Sequence, residues 1–230
     1  MAKRRKPPKS TKADVGHKIV KAGLSAIPIV GGPAAELFAS LVLPPLERRR
    51  QEWMEEIGEE LGKLQEERKI DFEVLRNDEE FVDTILQATQ VALRNHQQEK
   101  RDALRNAVLN TAVGNTPGES LRQMFLSNVD DFTEWHLRIL VLFHNPSAWF
   151  KSQNREPPNL YAGGLSSVLE NAFPAMRNAR PIYDQIWADL HSRGLVNTGD
   201  LHVTMTGAGL LQRRTSDLGA RFVAFIREQQ

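Results

Sequence analysis

The side chains of this chain that could do acid–base, nucleophilic or metal chemistry are scattered along it. Six histidines occur, and no two are three or four residues apart, the spacing with which a helix presents a pair of metal ligands. The absence of cysteine excludes thiolate nucleophiles, disulfides and cysteine-ligated zinc or iron–sulfur sites. No phosphate-binding glycine loop, dinucleotide-binding glycine motif, zinc-protease motif or nucleophile elbow is present. The sequence therefore predicts no catalytic residue, no cofactor and no metal site.

Adjacent carboxylates give no stronger signal of catalysis. Asp130 and Asp131, like Glu55 and Glu56, lie in charged helical or capping stretches, and nothing in the pattern places them in a pocket that would raise a pKa. These absences favour a protein that is not an enzyme. The alternative is an enzyme whose residues converge only in the folded chain.

The composition is that of a folded protein with an uneven charge distribution. The 230 residues are 40% hydrophobic and 26% charged, which predicts a packed core in one large domain or two small ones. The lack of cysteine fits a reducing compartment, so we expect a cytoplasmic protein. Residues 1–16 are basic and poor in apolar groups, and we predict a disordered arm that could contact anionic lipid or nucleic acid. Its basic residues are Lys3, Arg4, Arg5, Lys6 and Lys9, with Lys12 close behind.

An apolar stretch over residues 22–46 is the most informative part of the sequence. Its only formal charge is Glu36, and it is long enough to cross a bilayer. Proline and glycine at 28 and 31–33 break it, however, and Pro44-Pro45 closes it. The sequence therefore predicts two short helices, one ending near Ala26 and one spanning 33–43, which are either buried or inserted into a membrane. The candidate membrane or partner contacts are Ile27, Ile29, Val30, Leu37, Phe38, Leu41, Val42 and Leu43.

Hydrophobic periodicity predicts a series of amphipathic helices after this stretch. Residues 47–69 carry Trp53, Ile57, Leu61 and Leu64 at helical spacing. Residues 78–113 indicate either one long helix or two helices joined at a polar segment. Two shorter helices follow over 119–144, the second capped by Thr133 and stopped by Asn145-Pro146. Residues 147–164 are expected to be irregular.

The order of elements near the carboxyl end is typical of a winged helix. Two helices, 165–173 and 181–194, precede an expected hairpin in which 201–205 and 210–214 are the strands and TGAG is the turn; a last helix is capped by Thr215 or Ser216. The fold class predicted is therefore mainly α: a helical region, 17–113, followed by a winged-helix-like α+β region, 119–230.

The charges of the predicted winged region do not favour sequence-specific DNA binding. The second helix would present Asp184 and Asp189 to a groove lined with phosphates, which would repel it. Arg213 and Arg214 supply positive charge on the expected wing. Protein contact or domain stability is the favoured use of this region.

Four segments carry a resemblance to a known family: PPLERRRQEW, WHLRIL, IWADLHSRGLV and RTSDLGARFVAFI. Together with the layout of a broken apolar stretch, a helical region and a winged-helix-like region, they resemble uncharacterised bacterial proteins of the abortive-infection alpha type. The resemblance implies a non-enzymatic, membrane-linked role in bacterial stress or phage defence. These motifs are packing and capping patterns, so no functional residue carries over.

Three functional hypotheses follow. The leading one is a non-enzymatic interaction or effector protein whose residues 22–46 contact an anionic membrane surface or a protein partner. Such a protein would be cytoplasmic and would associate peripherally with the inner face of the membrane. The second is a DNA-binding regulator that uses the wing and the basic arm. The third is a structural subunit of a larger assembly. The sequence makes no prediction of the oligomeric state.

Overall fold

A computed structural model describes residues 33–228, which divide into two units between Arg48 and Arg49. This part of the chain is mainly helical, with one small antiparallel strand pair. The helices are α1 (Pro33–Glu66), α2 (Phe72–Leu75), α3 (Glu79–Arg94), α4 (Gln98–Ala112), α5 (Glu119–Asp131), α6 (Glu134–His144), α7 (Pro146–Ser152), α8 (Leu165–Ala172), α9 (Arg180–Ser192), α10 (Gly207–Leu210) and α11 (Asp217–Ile226). A 3₁₀ turn spans Pro174–Met176, and the strands are β1 (Ala162–Gly163) and β2 (Met205–Thr206).

Helix α1 continues through Pro44 and Pro45, so the prediction that a helix ends before them is wrong. Each proline removes one backbone hydrogen bond and crowds the preceding turn, at a cost of about 3 kcal/mol. That cost is local. Good helix formers dominate the segment after Pro45, and the helix resumes its bonding there. The predicted helix 33–43 and residues 47–66 of the predicted segment 47–69 are therefore parts of one helix.

The second half of α1 packs its apolar stripe as the periodicity predicted. Trp53, Ile57 and Leu61 are buried, while Met54 beside them is exposed. The indole Nε1 of Trp53 donates to Thr89 Oγ1 at 2.9 Å, which satisfies the ring nitrogen within the core. The predicted core stripe of residues 47–69 is confirmed.

Residues 78–113 form two helices and not one long helix, which confirms the second of the two predicted alternatives. Asp78 caps α3 by accepting hydrogen bonds from the backbone N–H groups of Glu80 and Phe81. The chain leaves the helical conformation over residues 95–97, within the polar stretch, and α4 then packs closely against α3. Helix α4 also packs against α11, so elements before and after residues 113–118 share one hydrophobic core.

Aromatic side chains fill the centre of that core. The ring of Phe125 in α5 lies 5.1 Å from that of Phe222 and 5.9 Å from that of Phe225, both in α11. Helix α6 supplies Ile139, Leu140 and Phe143, which are fully buried. Helix α6 is therefore central, as its broad apolar face predicts.

The segment after α6 is helical where the sequence suggested an irregular loop. Asn145 accepts a hydrogen bond from the backbone N–H of Ala148 at 3.0 Å, and Pro146 occupies the first turn of α7. The same Asn-Pro pair that ends α6 thus begins α7, because asparagine caps a helix and proline suits its first turn. The expectation that residues 147–164 are irregular is wrong for 147–152.

Helices α8 and α9 and the cap of α11 agree with the sequence. Gly194 follows α9 with φ +69°, and Ser216 Oγ accepts from the backbone N–H of Gly219 at 2.9 Å. The helical spacing of Ile182, Ile186, Trp187 and Leu190 predicts that all four lie on the buried side of α9. Ile186, Trp187 and Leu190 are buried, but Ile182 is 57% exposed, so the prediction is wrong for Ile182.

The predicted hairpin is wrong in its pairing. Strand β2 pairs antiparallel with β1, with Ala162 opposite Thr206, and the TGAG segment forms the short helix α10 instead of a hairpin turn. Thr206 Oγ1 caps α10, and the backbone N–H of Gly207 donates to Tyr161 O at 2.9 Å. The segment 210–214 contains no strand. Alternating hydrophobicity marks a strand but does not identify its partner, which here is the upstream segment Ala162–Gly163.

Candidate functional site

The predicted contact segment presents an exposed apolar face on α1. Leu37, Phe38 and Leu41 are 63%, 52% and 66% exposed, and we call these three residues the Leu37 face. Their spacing places them on one side of the helix. Val42 and Leu43, also predicted contacts, are half-buried. Ile27, Ile29 and Val30, and the basic arm (Lys3, Arg4, Arg5, Lys6 and Lys9), lie outside the described residues.

Positive charge follows the Leu37 face along α1. Three consecutive arginines occupy positions 48–50, and Arg49 donates from Nη1 to the carbonyl of Leu93 at 3.5 Å. Over residues 33–228, no helix combines the length and the apolar character that crossing a bilayer requires.

The two predicted wing arginines make contacts within the protein. Arg214 donates from Nη2 to the carbonyl of Gly209 and lies 3.1 Å from Met205 Sδ, while its backbone N–H donates to Phe143 O at 2.8 Å. Arg213 is exposed and pairs with Asp217 at 3.1 Å, one turn further along the chain. Arg214 therefore holds α10 and β2 near α6, and Arg213 is the more available of the two for an external anion.

A polar cluster, which sequence reasoning did not identify, surrounds the buried side chain of His136 at the start of α6. The backbone N–H of Thr133 donates to His136 Nδ1 at 3.2 Å, and His136 Nε2 lies 3.4 Å from Asp189 Oδ2 on α9. Because a backbone N–H can only donate, Nδ1 must accept, and the proton of the neutral ring resides on Nε2. Burial lowers the pKa of His136, although hydrogen bonding and charge attraction from Asp189 oppose that effect.

Two cations complete this region. Lys100 is 3% exposed, and its Nζ donates to the carbonyl of Asp130 at 2.7 Å. Burial lowers the pKa of Lys100, and the carboxylates of Asp130 and Asp131 partly offset that effect. Arg193 pairs with Asp131 at 3.0 Å and lies 5.0 Å above the ring of Phe132. We call Lys100, Asp131, His136, Asp189 and Arg193 the His136 cluster.

The contacts of the His136 cluster cap the start of α6 and attach α6 to α9. Thr133 Oγ1 lies 2.9 Å from His136 Nδ1 and also accepts the backbone N–H of His136, which makes a capping box in which histidine takes the usual place of glutamate. The contacts that run from Thr133 through His136 to Asp189 are therefore explained by capping of α6 and by its attachment to α9. Thr133 was predicted as the cap; the role of His136 could have been suggested by its position three residues later.

Of the carboxylates singled out in the sequence, Glu56, Asp130 and Asp131 form ion pairs, whereas Glu55 accepts a hydrogen bond from Gln51 within α1. Glu56 contacts Arg101 at 3.0 Å and Arg105 at 2.8 Å, joining α1 to α4. Asp130 contacts Arg94 at 2.7 Å. In the part of the chain that the structure describes, no group of three or more histidine and carboxylate side chains is arranged to hold a metal ion.

Comparisons with protein-family models, with curated proteins and with solved structures find no match to this chain.

Proposed function

We propose that this protein is a non-enzymatic effector that associates with an anionic membrane surface through the segment containing the Leu37 face. The observation that carries the proposal is the exposure of Leu37, Phe38 and Leu41, each more than half accessible on one side of a helix. Exposed apolar patches of this kind mark surfaces that meet a partner or a membrane.

The free energies expected from apolar burial and from charge attraction are of the size that reversible membrane association requires. Burial of a leucine or phenylalanine side chain contributes about 1.5–3 kcal/mol when complete. Each basic residue near an anionic surface adds about 1 kcal/mol, and both Arg48–Arg50 and the basic arm flank the apolar segment. Charge and apolar contact therefore favour the same partner, an anionic bilayer. The resemblance of the sequence segments to the abortive-infection alpha type implies a setting in bacterial stress or phage defence, and we include that setting in the proposal.

Vesicle flotation tests the proposal with the full chain. The triple variant Leu37→Gln/Phe38→Gln/Leu41→Gln removes the Leu37 face. The matched control is Met54→Gln/Val74→Gln/Leu86→Gln, which replaces three exposed apolar residues elsewhere. Because all six side chains are exposed, both variants should fold, and circular dichroism verifies this.

We expect the wild-type chain and the control to float with vesicles containing phosphatidylglycerol, and the Leu37-face variant to remain in the dense fraction. Failure of the wild-type chain to float would reject the membrane proposal. Flotation of all three proteins would show that the Leu37 face is not the contact. A stoichiometric protein that co-purifies with the wild-type chain and not with the Leu37-face variant would instead favour a partner surface or a structural subunit.

We also propose that residues 162–216 act as a winged-helix-like module for protein contact. The order β1, α8, α9, β2 supports this, as does the isolated antiparallel bridge between Val196 and Thr215 after α9. The alternative, a DNA-binding regulator, predicts steeply salt-dependent binding that weakens in Arg213→Ala. Arg213→Ala is the informative variant because Arg214 has a structural contact to Gly209. Duplex binding that is unchanged in Arg213→Ala would exclude Arg213 as a DNA contact.

A further inference from the structure

A cavity of about 510 Å³ lies among α4, α6 and α7 and the ends of α8 and α11, entirely within residues 49–230. Its volume falls in the range of small-molecule sites. A second cavity of about 370 Å³ adjoins it, and the two share Val141, Trp149 and Arg227 in their linings. Neither cavity involves the Leu37 face or the His136 cluster.

The inner surface of the larger cavity is apolar and partly aromatic. Ala103, Leu137, Ala172 and Ile226 are buried residues that line it. The rings of Trp149 and Phe173, both half-buried lining residues, lie 5.1 Å apart and nearly perpendicular at 71°. Such an edge-to-face pair forms a fixed corner against which a flat apolar group can pack.

Five charged side chains line the cavity, two acids and three arginines, and both acids are paired with cations of the protein. Glu99 contacts Arg138, and Asp102 lies 3.0 Å from Arg105. The carboxylates are therefore occupied by cations of the protein, and they offer little attraction to a cationic ligand.

The other two arginines of the lining, Arg155 and Arg227, have no carboxylate within 4.0 Å among residues 33–228. Arg155 donates to the carbonyls of Ala172 at 3.0 Å and Asn171 at 2.6 Å. These neutral acceptors hold the guanidinium in place without cancelling its charge. Arg227 is exposed at the end of α11. Burial lowers the pKa of His144 in the adjoining cavity, and the charges of Arg213 and Arg227 add to that effect.

We propose that this cavity binds a small aromatic carboxylate. The flat body of the ligand packs against Trp149 and Phe173 over the apolar inner surface. Its carboxylate lies toward Arg155 and Arg227, whose planar guanidinium groups match carboxylate geometry. This binding site does not depend on the membrane contact proposed above.

Isothermal titration of the full chain with 2-naphthoate and with 3-phenylpropionate tests the site, with quenching of tryptophan fluorescence as a second readout. The neutral isostere 2-naphthamide tests the need for the charge. Arg155→Gln and Arg227→Gln remove the two cations, and Arg221→Gln is the matched control, an exposed arginine on α11 outside the cavity lining. Circular dichroism verifies the fold of each variant, and Arg227→Gln suffices if Arg155→Gln does not fold.

We expect saturable binding of at least one carboxylate with one site per chain. Affinity should fall about tenfold or more in Arg227→Gln and in Arg155→Gln, as expected for loss of a charge-assisted hydrogen bond, and should be unchanged in Arg221→Gln. The naphthamide should bind at least about tenfold more weakly than naphthoate. The proposal is overturned if neither carboxylate binds saturably, if naphthamide binds equally well, or if Arg221→Gln weakens binding as much as Arg227→Gln.

Discussion

His136 Nε2 on α6 lies 3.4 Å from Asp189 Oδ2 on α9, and this contact joins two central helices of the protein. The ring of Phe132 stacks on the imidazole with centroids 4.8 Å apart and planes 6° from parallel. One face of the imidazole is thus covered by the Phe132 ring. Its Nδ1 accepts from the backbone N–H of Thr133, and its Nε2 faces the Asp189 carboxylate. The neutral form of the ring satisfies all of these contacts at once.

Stability should consequently fall as the pH is lowered through the histidine range. Burial lowers the pKa of His136 and of His144 below the ordinary value of about 6.5. Below that value the unfolded chain binds protons that the folded chain does not, so the contribution is complete above about pH 6.5 and is lost as the pH falls toward the folded-state pKa values. Urea unfolding at about pH 8 and about pH 5.5 measures the difference.

His136→Gln isolates the part that His136 contributes. The glutamine amide can accept from Thr133 N–H and donate toward Asp189, and it does not titrate. We expect the loss of unfolding free energy between the two pH values to be smaller in His136→Gln than in the wild-type chain. Ala188→Ser, at an exposed position on α9, replaces no titratable group and should retain the wild-type pH dependence. An unchanged pH dependence in His136→Gln would contradict the assignment.

Asn110→Ala should destabilise the attachment of α11. The Asn110 side chain is 5% exposed, and its Nδ2 donates to the carbonyls of Phe225 at 2.8 Å and Arg227 at 2.9 Å at the end of that helix. Its removal leaves terminal carbonyls without a donor, at a cost of about 1–3 kcal/mol. Asn106→Ala is the control, since Asn106 makes one longer bond, 3.1 Å to Ile226 O, from a half-buried position. Equal losses in urea unfolding for the two variants would contradict this role.

Two glycine-to-alanine substitutions should have opposite effects on stability. A Cβ on Gly219 would lie 1.9 Å from the carbonyl oxygen of Leu195, so Gly219→Ala forces α11 away from that segment and should cost about 1–3 kcal/mol or more. A Cβ on Gly62 in α1 meets nothing within 4 Å, so Gly62→Ala should gain about 0.5–1 kcal/mol from helix propensity. Thermal unfolding of both variants tests this, and a neutral Gly219→Ala would show that α11 does not approach Leu195 as described.

Local patterns predicted the helices well because capping and periodicity are properties of short segments. Trp53, Ile57 and Leu61 are buried as their spacing requires, and Thr133 and Ser216 cap the helices that they precede. The pairing of β1 with β2 could not be predicted in this way. It depends on the close approach of Gly207 to Leu160, where a Cβ would lie 2.0 Å from the carbonyl oxygen.

The candidate sites also differ in whether a local sequence pattern predicts them or only the folded chain brings their residues together. The composition of the apolar stretch predicted Leu37, Phe38 and Leu41 as candidate contacts, and the structure shows that their side chains are exposed. The cavity lined by Trp149 and Phe173 was not predicted. Its lining residues come from five helices, and they form no motif in the sequence. The His136 cluster likewise requires α4, α5, α6 and α9 to converge. Burial of Lys100 in particular contradicts the usual exposure of lysine.

The most direct test of the proposed membrane contact is site-specific fluorescence. The chain has no cysteine, so Phe38→Cys provides a unique position for an environment-sensitive nitrobenzoxadiazole label, and Val74→Cys provides a matched exposed position outside the Leu37 face. On addition of vesicles containing phosphatidylglycerol, the label at position 38 should shift to shorter wavelength and gain intensity, as it does on entering an apolar phase, while the label at position 74 should not change. Identical responses at the two positions, or no response at position 38, would contradict membrane association through the Leu37 face.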